Sequence, residues 1–483
     1  MSQQLIACLP NAASFMESFR SIGYSFETAL SDIIDNSISA DAKRIDIYLR
    51  KNGDVPYIQI IDDGCGMSEK ELFEAIRLGG KNPGDVRSEN DLGRFGLGLK
   101  SASFSQVRKL TVVSKQNGEV HGFQWDLDIV EQTNEFNVKV LREELSEIPN
   151  IEELERMETG TIVHWEDFDR ITQASHDVFT ELSELMNHAI DHIALIFHRF
   201  FEGKKLKIYV NNEQVQAKDP FLKNHPGTQE LQEKKVWIDD VAIRVHPYVL
   251  PHVSRLSASE QRLSGKIEDQ YKAQGFYLYR SNRLIVWGDY LGLEKKTELG
   301  KNARIQVDIP NSLDYLWEID VRKSRANVPS KIKRNLLSAI ADSKHTSEKV
   351  IKYRGKKELE KPQSLWKFYP GREEEGFSFE LNVENVLYKE FVETLDKKQA
   401  RLFHMMKEDL LASVPIQTIY TQIAQGKEQF VPQTDEVLEA LKEDLLALKD
   451  FGNYQSFLKV LLMTEPYASN ESAIKMINEE LRR

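Results

Sequence analysis

Hydrophobic positions recur with two different periods in the first two hundred residues. Five segments are rich in β-branched and aromatic residues and predict strands: RIDIYL, YIQIIDD, KLTVVSK, GFQWDLD and TGTIVHWEDF. Three segments repeat apolar residues every three or four positions and predict helices: ALSDIIDNSISA, ELFEAIRLGG and SHDVFTELSELMNHAIDHIALIFHRFF. LKSASF predicts a further helix or turn. We therefore expect an α+β fold in which helices cover one face of a mixed sheet.

The pattern changes twice further along the chain. A second region begins near Lys204, with pairs of short strands predicted in LKIYVNNEQV and GFYLYRSNRLIVWGDYLGL. Past Pro362 the pattern is mostly helical. A chain of 483 residues is too long for one ordinary domain. We expect three domains, over residues 1–202, 203–340 and 341–483.

Composition indicates the compartment. Charged residues make up 29% of the chain, and no apolar run is long enough to cross a bilayer. The first twenty residues lack the basic and apolar regions of a secretory signal. The two cysteines, Cys8 and Cys65, exclude a disulfide framework. We expect a cytoplasmic protein with no membrane partner.

One segment of this acidic chain is strongly basic. The formal net charge is −12, yet residues 321–362 contain thirteen Lys or Arg against four Asp or Glu. Such a segment can contact the phosphates of DNA. It can also form a solvated charged surface or touch the acidic C-terminal region, and the sequence leaves these alternatives open.

The first candidate site lies on the helix predicted in ALSDIIDNSISA. Asp32 and Asn36 are four residues apart and share one face, with Asp35 beside them. A carboxylate there could accept a proton from an attacking water, and an amide oxygen one turn later could ligate Mg²⁺. Taken alone, the same pattern is also typical of a solvated helix face.

The second candidate site is IIDDGCGM, where a predicted strand ends in an acid. Gly64 and Gly66 would let the backbone turn tightly against a ligand, next to Met67. A buried Asp62 carboxylate would require hydrogen-bond donors, and the exocyclic amine of adenine is a suitable one. The alternative is an Asp-Gly turn between a strand and a helix.

The third candidate site is the glycine-rich stretch LGRFGLGLKSASF. Gly93, Gly96 and Gly98 would expose backbone N–H groups just before a helix, an arrangement that binds phosphates, and Lys100 would add a mobile positive charge. The spacing does not fit a Walker A loop, because Leu99 separates Gly98 from Lys100. A flexible loop is the alternative.

The order of the three motifs, completed by the Thr-Gly-Thr of residues 159–161, resembles the GHKL ATPases. This superfamily includes gyrase B, the ninety-kilodalton heat-shock chaperones, histidine kinases and MutL. The resemblance implies a Bergerat-type sandwich that binds ATP and Mg²⁺. Histidine kinases themselves are disfavoured, because no dimerisation helix with a phosphoacceptor histidine precedes the motifs.

The resemblance also implies a role for each motif. Asp32 would be the general base, Asn36 would hold Mg²⁺, and Asp62 would bind adenine with support from Thr161. The remaining nucleotide-binding residues would be Gly64, Gly66, Met67, Gly93, Arg94, Phe95, Gly96, Leu97, Gly98, Leu99 and Lys100. Hydrolytic members usually carry Glu where this chain has Asp32, so slow hydrolysis is expected.

The continuation of the chain resembles the MORC and MutL branch, and prokaryotic MORC-like proteins in particular. The stretches that carry this resemblance are GYSFETALSDIIDNSISADA, GRFGLGLKSASFSQ, GFYLYRSNRLI and LWEIDVRKSRA. It implies an S5-like α/β transducer domain that sends a lysine to the γ-phosphate, and Lys323 is the candidate. The C-terminal domain would be mainly helical. The resemblance further implies an ATPase whose nucleotide state controls closure of a homodimer, acting on DNA or beside a separate nuclease in prokaryotic antiviral defence.

Two other functions fit parts of the sequence. A nucleotide-controlled DNA clamp or scaffold with little turnover would use the basic segment 321–362. A metal hydrolase could use His188 and His192, which lie on one helix face around Asp191. No third metal ligand is evident, and these histidines would otherwise pack against the sheet.

Overall fold

A computed structural model describes most of the chain in two compact units, Met1–Lys344 and His345–Arg483. The described residues are 10–79, 98–317, 328–359, 365–370, 377–419, 434–449, 454–463 and 467–482, apart from gaps at 22, 175–176, 203–205, 239, 253–254, 258–259, 262–266, 417 and 468–469. No helix in the described ranges is long and apolar enough to cross a membrane.

The first unit contains an eight-stranded mixed sheet, which confirms the predicted fold class. Its strands are β1 Arg44–Asn52, β2 Val55–Asp62, β3 Lys109–Gln116, β4 Glu119–Asp126, β5 Lys139–Leu141, β6 Gly160–Glu166, β7 Lys207–Val210 and β8 Glu213–Gln214. They lie in the order β5-β4-β3-β6-β2-β1-β7-β8. Only β1 and β7 pair in parallel among these strands.

Helices cover one face of this sheet. They are α1 Ala12–Arg20, α2 Phe26–Ser39, α3 Glu69–Ile76, α4 Gly98–Gln106, α5 Leu127–Thr133, α6 Ile151–Arg156, α7 Asp169–Ala174, α8 Val178–Ile196 and α9 His198–Phe201. The main core forms between this layer and the sheet, with Ile33, Ile60 and Trp165 at most 1% exposed. The exception is α6, which packs Ile151 and Leu154 against Ile61 in a smaller cluster with a different set of sheet residues. The predicted long helix is interrupted at Phe197.

A six-stranded sheet follows in the same unit. Its strands are β9 Gln229–Glu230, β10 Lys234–Ile238, β11 Val241–Val249, β12 Gly275–Arg280, β13 Arg283–Asp289 and β14 Ala303–Ile309, accompanied by α10 Ile267–Lys272, α11 Asp314–Trp317 and α12 Ser330–Leu359. The main path is β10-β11-β14-β12-β13. We call the eight-stranded sheet with α1–α9 the first lobe, and this sheet with α10, α11 and the start of α12 the second lobe.

The structure places β7 and β8 differently from the expected domain division. The sequence assigned LKIYVNNEQV to the second domain, but Ile208 of β7 pairs with Ile45 of β1 and extends the first sheet. β-Branched periodicity identifies a strand but not its partner, so the pattern could not show this pairing. The three-domain division itself stays a prediction.

The described residues of the second unit form a hairpin and helices. The hairpin consists of β15 Trp366–Pro370 and β16 Phe377–Leu381. The helices are α13 Val386–Thr394, α14 Lys397–Ala412, α15 Thr434–Leu448, α16 Tyr454–Leu461 and α17 Glu471–Leu481. Leu441 and Leu445 are buried against α16 and α17 residues such as Leu458 and Ile477.

A polar and aromatic cluster joins the two lobes. The buried His198 Nε2 lies 2.7 Å from the Tyr279 hydroxyl on β12. The Arg199 guanidinium lies 3.4 Å from the centroid of the same Tyr279 ring and forms an ion pair with Asp308. Burial, together with the positive charges of Arg199 and Lys223, lowers the pKa of His198 to about 3. His198 is therefore neutral at pH 7 and stabilises the lobe contact only in that form.

We predict that acid weakens this contact through His198. The folded pKa of about 3 lies below the ordinary value of about 6.5. The stabilisation is therefore complete above pH 6.5 and decreases as the pH falls towards 3. Thermal unfolding between pH 7 and 4 should show a smaller loss of stability for His198→Gln than for the wild type. His188→Gln, which changes an exposed histidine of α8, should follow the wild type; equal slopes for all three proteins would contradict the prediction.

Candidate active site

A row of polar side chains crosses three neighbouring strands of the first sheet. In β2, Asp62 lies on the same face as Ile58 and Ile60 because side chains alternate along a strand. The register pairs Asp62 with Thr161 of β6, and Thr161 with Ser114 of β3. The row therefore faces the helix layer, at the end of β2 where the core stops.

Asp62 is a buried carboxylate with defined donors. Its side chain is 5% exposed. Ser37 Oγ of α2 donates to Oδ2 at 2.7 Å, and the Gly64 N–H donates to Oδ1 at 2.9 Å. Burial raises the pKa of Asp62 to about 6, although both hydrogen bonds act in the opposite direction. Each carboxylate oxygen retains a further lone pair with which it can accept from a ligand.

The loop after Asp62 allows no side chain at two of its positions. At Gly66, where φ is +64°, a Cβ would lie 1.9 Å from the Lys115 carbonyl oxygen of β3. At Gly64 a Cβ would lie 2.8 Å from Asp62 Oδ1. The backbone thus packs closely against β3 at Gly66 and against the Asp62 carboxylate at Gly64; the predicted contact of this turn with a ligand stays a prediction.

Ser114 connects this loop to β6. Its Oγ accepts from the Met67 N–H at 2.9 Å and lies 2.9 Å from both the Gly160 carbonyl oxygen and Thr161 Oγ1. Thr159 Oγ1 donates to the Gly64 carbonyl oxygen at 2.7 Å. The Thr-Gly-Thr segment therefore supports the Asp62 loop directly.

Helix α2 brings the other two predicted residues to this side of the sheet. Asp32 is 5% exposed, and its Oδ2 accepts from the Tyr24 hydroxyl at 3.1 Å. Asn36, one turn later, is exposed. The first residue of α4, Gly98, is close to Asp32, since a Cβ there would lie 3.6 Å from Oδ2. The Asp32 carboxylate therefore lies next to the start of α4, where the glycine-rich stretch ends.

Asp35 has a structural partner that the sequence did not indicate. It is 1% exposed. Arg283 of β13, in the second lobe, places Nε 2.8 Å from Asp35 Oδ1 and 2.7 Å from Oδ2. The sequence placed Asp35 beside Asp32 and Asn36 on an open polar face, whereas the structure buries it against the second lobe.

Lys100 is held by the end of a neighbouring helix. It is 2% exposed, and its ammonium donates to the carbonyl oxygens of Ala75 and Arg77 at 2.8 and 2.9 Å. These carbonyls end α3, where a cation is favoured by the helix dipole. The expected mobile charge is thus anchored in this structure, and a phosphate contact of Lys100 stays a prediction. Leu99 packs partly against the main core.

Several predicted residues lie outside the described residues: Gly93, Arg94, Phe95, Gly96, Leu97 and Lys323. Their roles stay predictions.

The His188 and His192 pair does not form a metal centre in the structure. His188 is exposed. The ring of His192 lies 5.5 Å from that of Trp287, and burial with the positive charge of Arg283 lowers the pKa of His192 to about 4. Across the described ranges, no three His, Cys, Asp or Glu side chains are grouped so that they could hold a metal ion.

Four residues of the site were missed by the sequence analysis: Tyr24, Ser37, Ser114 and Arg283. Ser114 had a usable signal, since it is a small polar residue in the apolar strand KLTVVSK, on the same side as Val112. Ser37 directly follows Asn36 and could have been considered with it. Arg283 is 248 positions from Asp35, and no local pattern could connect the two.

The arrangement fits an adenine nucleotide with a divalent cation. Asp62 offers a buried acceptor for an amine. The amide of Asn36 makes no hydrogen bond to any described residue and is exposed, so its oxygen can ligate a hard cation. Asp32 supplies a carboxylate on the same helix, one turn before Asn36.

Comparisons with known proteins agree with this chemistry. A family model of histidine kinase-, DNA gyrase B- and HSP90-like ATPases matches residues 24–161. The chain is 32% identical over 91 residues to ATPase morc-1 of Caenorhabditis elegans, covering 19% of this chain and 10% of that protein. It is 34% identical over 97 residues to the DNA mismatch repair protein MutL of a Thermoanaerobacter species, covering 19% and 15%. It is 38% identical over 91 residues to ATPase MORC2B of Mus musculus, covering 18% and 9%.

The family model matches part of the first lobe, and the chain spans only 9–15% of the length of these three relatives. The family model contains all three motifs and the Thr-Gly-Thr segment, and the relatives include both MORC and MutL proteins at 32–38% identity. Together with the eight-stranded sheet, the family match identifies residues 24–161 as a domain of the GHKL ATPase superfamily.

Proposed function

We propose that this protein binds ATP with Mg²⁺, hydrolyses it slowly, and uses its nucleotide state to control closure of a homodimer. The observation that carries the proposal is Asp62, a buried carboxylate held by Ser37 and Gly64 with lone pairs left for an amine. The exocyclic amine of adenine is the donor that such an acceptor selects. The family membership supports ATP as the nucleotide.

Each residue then has a specific task. Asp62 accepts from adenine, with Thr161 and Ser114 fixing the loop beneath it. Asn36 supplies an amide oxygen to the cation, and Asp32 takes the proton from the attacking water. Mg²⁺, when bound, neutralises charge on the phosphate oxygens. In this proposal, Lys323 and the glycine-rich stretch that begins at Gly93 bind the phosphates of ATP.

The proposed dimer control is a shift between populations. A ligand moves an equilibrium only if it binds one state better than the other. We infer that ATP favours a closed dimer and that hydrolysis releases it. Further steps of the proposal are a role in prokaryotic antiviral defence and cooperation with a separate nuclease; both derive from the resemblance to MORC-like proteins alone.

We predict that Asp62→Asn abolishes ATP binding. The introduced amide either turns its NH₂ group towards the adenine amine, where two donors meet, or accepts through a neutral oxygen without the charge-assisted hydrogen bond. ATP affinity should therefore fall at least about 100-fold. Equilibrium binding of a fluorescent ATP analogue measures this. Asp63→Asn is the matched control, because Asp63 Oδ1 accepts from the Lys43 and Arg44 N–H groups instead.

The same carboxylate predicts a pH dependence for binding. Because burial raises the pKa of Asp62 to about 6, the ionised acceptor is present above pH 6 and is lost as the pH falls below it. ATP affinity of the wild type should therefore decrease between pH 7 and 5. A constant affinity over this range would contradict the role of Asp62.

We predict that Asp32→Asn preserves ATP binding and lowers turnover by about 10²–10⁴, the usual contribution of a general base. Since ATP would persist in this variant, crosslinking should also trap more closed dimer than in the wild type. Glu27→Gln, on the same helix, should retain wild-type turnover. If Asp32→Asn hydrolyses ATP normally, the base has been assigned wrongly; if it hydrolyses slowly without trapping dimer, the proposed dimer control fails.

A DNA clamp is a second candidate function, favoured by one observation. At the start of α12, Ile332 and Leu336 are buried in the second lobe whereas Lys331, Lys333 and Arg334 are exposed. The helix therefore presents three cations on the side away from its core contacts. The proposal is that DNA phosphates bind there while turnover is incidental.

We predict that changing Lys331, Lys333 and Arg334 together to Gln weakens duplex DNA binding. Each lost phosphate contact should reduce the slope of log affinity against log salt by about 0.9. Lys397, Lys398 and Arg401 are exposed on α14, and changing them to Gln gives a control with the same change in net charge. Equal loss in both variants would show a general charge effect and contradict a site on α12.

A further inference from the structure

Arg283 reaches from the second lobe into the acids of α2. Its side chain is 6% exposed. Nε lies 2.8 and 2.7 Å from the two Asp35 carboxylate oxygens, and Nη1 donates to the Leu284 carbonyl oxygen at 3.3 Å. The guanidinium carbon lies 5.8 Å from the centroid of the Phe197 ring. The guanidinium is therefore fixed in orientation at the contact between the lobes.

The same guanidinium is also next to Asp32. Nη2 lies 3.9 Å from Asp32 Oδ1, whereas the Tyr24 hydroxyl donates to Asp32 Oδ2. Asp32 thus has the Tyr24 hydroxyl at one oxygen and a positive charge near the other. The side chains of Arg283 and Asp32 are each 6% exposed. Electrostatic attraction between buried charges is screened much less than in water.

We propose that Arg283 is a positioning residue that makes the ATPase site depend on the second lobe. By holding Asp35 and attracting Asp32, it sets the direction of the Asp32 carboxylate relative to the attacking water. This inference rests on the proposed role of Asp32 as the general base. A displacement of the β12–β13 hairpin would then change turnover without changing the residues that bind adenine.

A purely structural role for the ion pair makes a different prediction. If Arg283 only joined the lobes, any other ion pair across the same contact should matter equally. Arg199 and Asp308 form such a pair, between α9 and β14. Arg199→Gln is therefore the matched control for lobe docking.

The test compares three full-length variants by ATP affinity and steady-state kinetics. Arg283→Gln alone would leave the buried Asp35 charge unpaired and endanger folding, so it is combined with Asp35→Asn. This double variant should bind ATP within about 2-fold of the wild type and show a kcat lowered about 10-fold, as expected for a misdirected catalytic group. Arg283→Lys should show a smaller loss, about 3-fold, because one ammonium cannot reach both acids as the planar guanidinium does. Arg199→Gln should keep the wild-type kcat.

The outcomes separate this inference from the proposed function. A wild-type kcat in the double variant overturns the inference, and so does an equal loss of kcat in Arg199→Gln. If the double variant does not fold, Arg283→Lys decides: unchanged kcat overturns the inference, and lowered kcat with unchanged ATP affinity supports it. If Asp32→Asn retains turnover, the assignment of Asp32 as the base is wrong, and the inference about Arg283 fails with it. If Asp32→Asn is inactive but the Arg283 variants keep the wild-type kcat, only the inference about Arg283 is refuted.

Discussion

The burial of three carboxylates is the constraint on which this site depends. Asp32, Asp35 and Asp62 are each at most 5% exposed. An unpaired buried charge costs several kcal/mol or more, so each acid requires a partner in a defined position. The partners come from four places along the chain, namely Tyr24, Ser37, Gly64 and Arg283. The geometry of the site is therefore set by where α2, the Asp62 loop and the β12–β13 hairpin meet.

This constraint gives the three acids different chemistry. Asp62 is paired with neutral donors; burial raises its pKa, and no positive charge is among the groups that affect it. Asp35 is paired with an arginine and is closed off from ligands by it. Asp32 lies between these cases, with a neutral hydroxyl at one oxygen and the Arg283 charge at a longer distance. The base role is thus proposed for the acid whose carboxylate faces both a neutral donor and a more distant positive charge.

The sequence predicted the first lobe well because its signals are local. The alternation in YIQIIDD places Asp62 on the core side, and the spacing of Asp32 and Asn36 holds on α2. The sequence did not predict what depends on distant pairing. The addition of β7 to β1, the burial of Asp35 and the anchoring of Lys100 on α3 each require a partner at least 23 positions away. Amphipathic periodicity shows that a helix face is polar, but not whether water or another lobe covers it.

The shorter acid on α2 is consistent with the packing around it. A Glu at position 32 would extend the carboxylate by about 1.5 Å, the length of one carbon–carbon bond. That carboxylate would have to fit beside the Tyr24 hydroxyl, 3.1 Å from Asp32 Oδ2, and beside Gly98, where an added Cβ would lie 3.6 Å from the same atom. It would also change its distance from Arg283, which Asp35 holds in place. The identity of residue 32 is therefore coupled to the start of α4 and to the second lobe, and the absence of Glu is a property of the whole pocket rather than of one position.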